Sequence, residues 1–523
     1  MDFDLAKFDF ASFDFPKLDL SSLNYRDVGI AVGVSLAVYR YFRALRERSK
    51  LSAIPTYGYN GIFTSYLTVW RYLSDPRALY PDTPFKIPTT DGWYVVLHGD
   101  QMYEAVRRAS EDELSVFKAL DNLFKVPYTI SSRLNDHPQY HINTILTSLT
   151  RSVNTKFDEI RDEVQHGFET FLPANDHGEW VKYTDIPSVA QKIVVRVTNR
   201  VFVGLPLCRN EDWCDLNIKF TISVAVNGMI IGMFPEFLHP IVGRIFSSRN
   251  SSFRRARKHM MPLIEERLEM VQKYGTGVDY EGKPNDLISW LLDECARSGT
   301  DWQKGEGLIE ELILRMVATN FGAIHTTSES MTLSSAIYFL AANPHLAEPL
   351  RAEINECLEQ EGGWTKVSLG KMNLVDSFLK ESGRKSMVGA IGVLRIVDKE
   401  FVLPNGTTLP VGARVGLAAY ESHHNKATYP SPEEFNYSRF VEMGNNVKNL
   451  MTTPSEDWMV FGAGRHACPG RFFAVNMLKL LLGHLLLNYD VKLPDGAKLP
   501  EPTWLGSALL PNTSAGVLFR KRM

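Results

Sequence analysis

The stretch Phe461-Gly462-Ala463-Gly464-Arg465-His466-Ala467-Cys468-Pro469-Gly470 constrains the fold of this chain more than any other. A cysteine lies in a glycine-rich loop, and the apolar run 472–487 that follows predicts a buried helix. Gly464 and Gly470 permit backbone conformations, and the close approach of a flat ligand, that a side chain would prevent. Cys468 precedes the helix, where exposed N–H groups and the positive end of the helix dipole stabilise a thiolate.

A thiolate held in this way is a good axial ligand for a haem iron, whereas the plainer alternative is an inert core cysteine beside a glycine turn. The spacing Phe461-x-x-Gly464-x-x-x-Cys468-x-Gly470 resembles the haem-binding loop of cytochromes P450, in which a cysteine thiolate ligates the haem. The resemblance implies that Cys468 binds the iron of haem b (iron protoporphyrin IX). It also implies a mainly α P450 fold with a minor β region.

Composition fits a globular protein with a sizeable core, because 44% of the 523 residues are apolar and 22% are charged. The formal net charge of −3 argues against nucleic acid as a partner. Five scattered cysteines without zinc-type spacing favour a reducing compartment. We expect a pentapeptide-like amphipathic leader at 1–25, a membrane anchor with a basic flank at 26–50, and a catalytic domain at 51–523.

The anchor prediction rests on Val28 to Tyr39, twelve residues without a charge, which a basic cluster follows. That run is short for a spanning helix, which needs about twenty apolar residues, so a helix lying on the membrane is the alternative. The basic side should face the cytosol, which places the chain in the endoplasmic reticulum membrane with its catalytic domain outside the lumen. We expect Ile54-Pro55 to break the helix and to form a hinge into the main domain.

A second long helix is predicted over residues 308–343 from its apolar periodicity. Small residues then form a stripe at spacings of three and four, at Thr319, Ala323, Thr326, Thr327 and Ser330. Such a stripe leaves room for a flat group or bound oxygen, although close helix packing uses the same residues.

Gly322-Ala323-Ile324-His325-Thr326-Thr327 resembles the oxygen-activation motif of P450s, with Ala323 where glycine is usual and His325 where an acid is usual. The resemblance gives Thr326 the handling of oxygen and of proton delivery. His325 is a candidate relay, because imidazole exchanges protons near neutral pH. The histidine variant is similar to fungal microsomal P450s of terpenoid and secondary metabolism.

Two further segments resemble the ExxR lock of the family. Glu381 and Arg384 stand at i and i+3 on one helix face, and the run 432–440 supplies Arg439. The resemblance implies a buried charged network that serves folding and haem retention. By position, Arg395 and His466 match the residues that bind haem propionates in the family. Many P450s also use a tryptophan and an arginine near the position of His141. His141 is only a weak substitute for them, and a surface histidine is the favoured alternative.

The coarser patterns predict a strand at 93–98, a helix at 142–153, a broken apolar helix pair at 221–246, a solvated basic helix face at 254–258, and strands with a turn at 404–406. Segments 388–394 and 507–510 fall where P450s line the substrate pocket.

Together these features predict a monooxygenase that inserts one atom of O2 into an apolar, terpenoid-like substrate. Without a nicotinamide or flavin motif, its electrons should come from NADPH through a separate cytochrome P450 reductase. Three alternatives stay open: a P450-fold isomerase or dehydratase that needs neither O2 nor NADPH, a cysteine hydrolase using Cys468 with His466, and a non-catalytic membrane-tethered haem- or ligand-binding protein.

Overall fold

The computed structural model is mainly helical, with several small sheets. It describes residues 25–57, 83–89, 92–136, 139–173, 178–298, 306–324, 329–386, 389–444, 446–505 and 507–522. The leader repeat, His325 and Thr326 lie outside these ranges.

The helices of the amino-terminal half are α1 Tyr25–Lys50, α2 Asp100–Arg108, α3 Val116–Phe124, α4 Arg133–Asp136, α5 Tyr140–Thr144, α6 Thr150–Thr155, α7 Phe157–Phe171, α8 Ile186–Phe202, α9 Glu211–Gly232, α10 His239–Phe246 and α11 Arg249–Tyr274. Those of the carboxy-terminal half are α12 Leu287–Arg297, α13 Glu306–Ile324, α14 Glu329–Ala342, α15 Ala347–Glu361, α16 Lys366–Lys371, α17 Asn373–Lys385, α18 Ala419–His423, α19 Arg439–Glu442 and α20 Arg471–Asn488. Short π-helical turns at Pro127–Ser131 and Ile145–Leu149, and several 3-10 turns, connect them.

The strands are β1 Phe85–Thr89, β2 Gly92–Leu97, β3 Leu114–Ser115, β4 Val181–Tyr183, β5 Gly392–Val397, β6 Phe401–Val402, β7 Thr408–Leu409, β8 Arg414–Leu417, β9 Tyr489–Lys492, β10 Thr503–Leu505, β11 Ala508–Leu510 and β12 Val517–Lys521. The largest sheet has the order β1-β2-β8-β5-β3, with β2 parallel to β8 and its other pairs antiparallel. The strands β4, β12 and β9 form a second sheet in that order. The strands β10 and β11 form one hairpin, and β6 and β7 form another.

The core lies among the long helices because their sequences are apolar around most of their circumference. The helix α20 shows this well, since its side chains from Phe473 to Leu486 are largely buried while Phe472 at its start is 40% exposed. A separate apolar cluster lies against the large sheet and includes Leu51, Ile54 and Trp93. The Cys468 loop reaches α20 between these two clusters.

Several sequence predictions of helix extent were wrong. The helix α1 covers the segment 26–50 predicted as anchor and basic flank, but it ends at Lys50 and not at Ile54-Pro55. The helix expected at 142–153 is divided by the π turn Ile145–Leu149. The apolar segment expected from 221 starts ten residues earlier, as α9. The helix expected at 308–343 is helical, as predicted, up to residue 324 and from residue 329 to residue 342, and residues 325–328 lie outside the described part of the chain.

The Ile54-Pro55 segment, where a hinge is predicted, is hydrogen-bonded to the sheet. Ile54 is 2% exposed, and the carbonyl of Pro55 accepts a hydrogen bond from the N–H of Lys86 at 2.8 Å. Tyr57 donates in turn to the carbonyl of Lys86 at 3.0 Å. The chain therefore enters the catalytic domain as an extra pairing on β1.

Among the residues that the structure describes, one helix, α9, is long and apolar enough to cross a bilayer, and 44% of its most apolar window is buried in the protein.

Candidate active site

The Cys468 loop is closed by its own backbone. The N–H of Cys468 donates to the carbonyl of Phe461 at 2.7 Å, and the Arg471 guanidinium donates to the carbonyl of Cys468 at 2.9 Å. Because α20 begins at Arg471, the sulfur lies just before the start of a long helix. The loop thus places a half-exposed thiol at the positive end of a helix dipole, whereas the other four cysteines are buried.

Glycine is required at two positions of this loop, and only one of them was singled out from the sequence. Gly464 has φ +62°, and a Cβ there would contact the backbone carbonyl of Arg107 on α2. Gly462, which the sequence argument passed over, has φ +78°. Gly470 has φ −86°, which any residue adopts, so the expected need for glycine freedom there was wrong.

Glu381, Arg384 and Arg439 form one buried network. Arg384 donates from Nε and Nη2 to the two Glu381 oxygens at 2.8 and 2.7 Å, and Arg439 Nε lies 3.1 Å from both. The N–H of Asn436 also donates to Glu381 at 3.2 Å. One carboxylate is therefore shared by two guanidinium groups and one backbone donor, with both the Glu381 and Arg384 side chains fully buried.

The remaining donors of this network extend it toward the Cys468 loop. Arg384 Nη1 donates to the carbonyl of His423 at 2.6 Å, and the N–H of Met459 donates to His423 Nε2 at 3.0 Å. The His423 ring stacks on Trp458 with centroids 5.5 Å apart. Burial lowers the pKa of His423 to about 3, so its ring is neutral and can accept. No motif in the sequence marks His423 or Trp458.

Two basic side chains, Arg395 and His466, lie near one carboxylate. Arg395 on β5 is 4% exposed, and burial lowers its pKa to about 10. His466 Nε2 lies 3.2 Å from Glu111 Oε2, while burial and the positive charge of Arg395 hold the pKa of His466 below its usual range. Glu111 also accepts the N–H groups of Val116 and Phe117 at the start of α3. Sequence reasoning missed Glu111, which carries no family signature.

The small-residue part of α13 opens onto free space. Thr319 and Asn320 are buried, but Gly322 is exposed, and a Cβ built on it meets no atom within 4 Å. Ala323 is half-buried, and Phe321 packs edge-on against Phe124 of α3 with centroids 5.2 Å apart. The helix therefore borders a space just before the residues predicted to handle oxygen.

His141 lies away from these groups and is not a surface residue. Its Nδ1 is 3.0 Å from Arg315 Nη1 of α13, and burial lowers its pKa to about 3. Arg315 in turn donates to Glu311 at 2.6 Å. The weak prediction of a propionate contact has no support here, because the ring is engaged by a buried ion pair.

The residues present fit a haem. Cys468 supplies a soft sulfur donor at a helix start, and Arg395 with His466 supplies cations for carboxylates. A cavity of about 270 Å³ borders the loop at Val460 and Gly462 and reaches Val393 and Thr332, and none of the described residues that line it is charged. This uncharged space beside the loop suits an apolar group.

Comparison with known proteins finds similar sequences along most of the chain. The family model described as Cytochrome P450 matches residues 95–519. Cytochrome P450 monooxygenase 151 of Postia placenta is 37% identical over 91% of this chain and 95% of its own length. Cytochrome P450 monooxygenase olcJ of Penicillium canescens is 32% identical over 94% and 90%, and CYP512U6 of Ganoderma lucidum 30% over 95% and 97%.

Proposed function

Because the chain belongs to the cytochrome P450 family and is a haem-dependent monooxygenase, we propose that it oxidises an apolar, terpenoid-like secondary metabolite. Its electrons come from NADPH through a separate cytochrome P450 reductase. The observation that carries the substrate class is the uncharged space beside the Cys468 loop. A charged substrate would lose its hydration there without gaining a counter-charge from the described lining residues.

Each predicted residue has a distinct task in this proposal. Haem activates O2 when bound, and Cys468 would hold its iron while Arg395 and His466 would pair with its carboxylates. Thr326 and His325, outside the described residues, would bind oxygen and deliver protons. Buried Glu381, Arg384 and Arg439 would hold the polypeptide behind the haem and take no part in turnover.

The first test is the reduced, CO-bound difference spectrum of purified wild-type protein and of Cys468→Ala. We expect a red-shifted Soret band characteristic of thiolate ligation in the wild type and its loss in the variant. The thiolate assignment is wrong if Cys468→Ala keeps the band.

The second test addresses the reaction. With reductase, NADPH and a panel of terpenoids, the wild type should give products that gain one oxygen atom. Thr326→Val should consume NADPH with little product, and His325→Asp, which restores the acid usual in the family, should retain turnover. Turnover without NADPH would instead support an isomerase or dehydratase.

We also propose that the protein is anchored in the endoplasmic reticulum membrane by α1, with its catalytic domain in the cytosol. Two exposed apolar stripes support this. On α1, Ile30, Val34 and Val38 are each about half exposed or more at a spacing of four residues. On the α10 side, Phe237 is 77% and Ile245 69% exposed, as expected for a surface that lies against lipid. Cell fractionation of the full chain, of Val34→Glu with Val38→Glu and of Ile241→Glu with Ile245→Glu tests the two contacts separately.

A further inference from the structure

Three buried polar side chains join α9, α8 and α13 by hydrogen bonds. The indole N–H of Trp213 on α9 donates to Asn199 Oδ1 on α8 at 2.8 Å. Asn199 Nδ2 donates in turn to Asn320 Oδ1 on α13 at 3.0 Å. Each of the three residues is at most 1% exposed, so water does not compete for these bonds. We call these residues the asparagine bridge.

The direction of the hydrogen bonds in the asparagine bridge is fixed by Trp213. An indole N–H can only donate, so Asn199 presents its oxygen to Trp213 and its nitrogen to Asn320. The same nitrogen also donates to the carbonyl of Val195 within α8 at 2.9 Å. Asn320 accepts with its oxygen, and its nitrogen donates to the carbonyl of Met316 within α13 at 3.2 Å. The Asn199 amide therefore has its nitrogen and its oxygen engaged, and it has one orientation.

The asparagine bridge lies among apolar residues of the main core. Buried apolar residues flank it in sequence on each of the three helices, among them Val197, Leu216 and Val317. Apolar side chains pack in more than one alignment, whereas a buried amide favours one, because a shift leaves a donor or an acceptor unpaired. A single buried asparagine fixes the register of coiled coils in the same way. We therefore expect the asparagine bridge to set how α13 is aligned against α8 and α9.

The helix α13 is also held at the residue that follows Asn320. The ring of Phe321 packs edge-on against Phe124 of α3, with centroids 5.2 Å apart. Phe124 lies close against α9, since a Cβ on Gly228 would be 2.7 Å from its carbonyl oxygen. Consecutive residues of an α-helix point about 100° apart, so contacts at Asn320 and Phe321 together oppose rotation of α13 about its axis. A rotation of this helix would turn its small-residue stripe.

We propose that Asn199 is a positioning residue of the monooxygenase reaction. It acts through Asn320 by fixing the alignment of α13, the helix that leads to the residues predicted to handle oxygen and protons. In the sequence, Asn320 stands five residues before His325 and six before Thr326. The inference rests on the roles proposed above for those two residues.

The first test is the infrared spectrum of the carbon monoxide complex of the reduced, haem-loaded enzyme. The CO stretching frequency responds to the groups around the bound CO, and its measurement needs neither substrate nor reductase. In Asn199→Leu, which replaces the amide with an apolar side chain of similar size, we expect this band to shift or broaden. A band identical to that of the wild type would overturn the proposal.

Asn217→Leu is the matched control for the loss of a buried amide. Asn217 lies on α9 and is 2% exposed, and its amide donates to the carbonyl of Trp213 within the same helix at 2.8 Å. Its replacement therefore removes no hydrogen bond that the described residues show between helices. We expect the CO band of Asn217→Leu to match that of the wild type, whatever the change in its urea midpoint. Equal changes of the band in Asn217→Leu and Asn199→Leu would contradict the proposal.

The combination of Asn199→Leu with Asn320→Leu separates positioning from stability. Asn199→Leu alone leaves the Asn320 oxygen buried and without its donor, and the double variant removes that oxygen. The urea midpoint of the double variant should therefore be higher than that of Asn199→Leu. Its CO band should nevertheless stay altered, because the hydrogen bond between α8 and α13 is still missing. A band that returns to the wild-type position would mean that apolar packing alone aligns α13, and the proposal would be wrong.

Turnover tests the consequence for the reaction. With reductase, NADPH and a terpenoid that the wild type oxidises, kcat of Asn199→Leu should be at least about tenfold below that of Asn217→Leu, since a misplacement of about 1 Å can cost about a hundredfold in rate. KM should change little, and a larger share of the NADPH consumed should yield no product. Equal kcat values for the two variants would contradict the proposal. If the wild type oxidises no terpenoid, the proposed substrate class fails, whereas the CO bands still decide the role of Asn199.

Discussion

Glu381 and Glu47 have the same kinds of hydrogen-bond partners, but their side chains differ in burial. Each carboxylate contacts two arginines and accepts one backbone N–H group: Arg384, Arg439 and Asn436 for Glu381, and Arg43, Arg414 and Trp93 for Glu47. The Glu381 side chain is fully buried, whereas that of Glu47 is 23% exposed. The first network lies behind the Cys468 loop, and the second joins α1 to β2 and β8.

The difference shows that burial, rather than the list of contacts, decides what such a network contributes. If Glu381 is lost, two guanidinium groups remain in the core without a counter-charge and without access to water. If Glu47 is lost, Arg43 and Arg414, whose side chains are 22% and 12% exposed, keep partial access to water, which screens their charge. We therefore expect the first network to control global stability and the second to control the attachment of one helix.

The largest effect is expected for Glu381→Gln. Breaking a buried ion pair by removing one partner costs about 3–5 kcal/mol, so the urea midpoint should fall sharply and haem should be lost on purification. The matched control is Glu433→Gln, because Glu433 pairs with neighbouring Lys385 but is 74% exposed. Similar urea midpoints for the two variants would remove the distinction between the networks.

His423 tests the buried side by pH. Its pKa is about 3 in the folded protein and near 6.5 when unfolded, so between these values the unfolded chain binds a proton that the folded chain does not. The free energy of unfolding should therefore be highest above pH 6.5 and fall as the pH drops toward 3. The slope of the free energy of unfolding against pH reports how many more protons the unfolded chain binds. In His423→Gln this number should fall by up to about one, as measured by urea unfolding at a series of pH values. An unchanged pH dependence in the variant would show that His423 does not titrate with folding, and exposed His345 offers a control substitution.

A smaller and local effect is expected for Glu47→Gln. Partly exposed ion pairs contribute up to about 1 kcal/mol, so the global urea midpoint should change little. Hydrogen–deuterium exchange should nevertheless become faster in α1, near Ala44, whose carbonyl accepts from the Trp93 ring at 2.9 Å. Exchange that rises equally throughout the large sheet would mean that this network supports the whole domain.

The smallest effect is expected where both partners are exposed. Lys399 contacts Asp112 and lowers the pKa of that carboxyl to about 2, yet the two side chains are 65% and 63% exposed. Lys399→Ala should leave the urea midpoint unchanged. A measurable fall in the urea midpoint would show that side-chain exposure does not predict how much these ion pairs stabilise the fold.

The residues that belong to sequence motifs were the most predictable part of this protein. Cys468, Glu381 and Arg384 are each marked by fixed local spacing, and a loop or a single helical turn transmits that spacing directly to the structure. The position of Arg439 was also accessible, because it follows in a recognisable order. Helix boundaries were less accessible, since the end of α1 and the start of α9 depend on packing that no local pattern encodes.

The partners across the fold were not accessible from the sequence. Glu111 contacts His466 from 355 positions away, and His423 receives its hydrogen bonds from α17 and from the segment before Phe461. The basic run 254–258 on α11 was predicted as a solvated face, but Arg255 within it pairs with Asp212 and Asp215 of α9. These contacts form only when distant helices pack together, so the local sequence around each residue does not predict them.

By itself, the sequence determined a thiolate loop before an apolar helix, a helical fold around it, and the carboxylate and two guanidinium groups of the buried network. These follow from local spacing, glycine conformation and apolar periodicity, which act within a few residues. Only the tertiary structure decided that Glu381 is buried while Glu47 is partly exposed, and that His466 lies against Glu111. Burial and convergence depend on how distant segments pack, and the low dielectric that packing creates sets the strength of every charge described above.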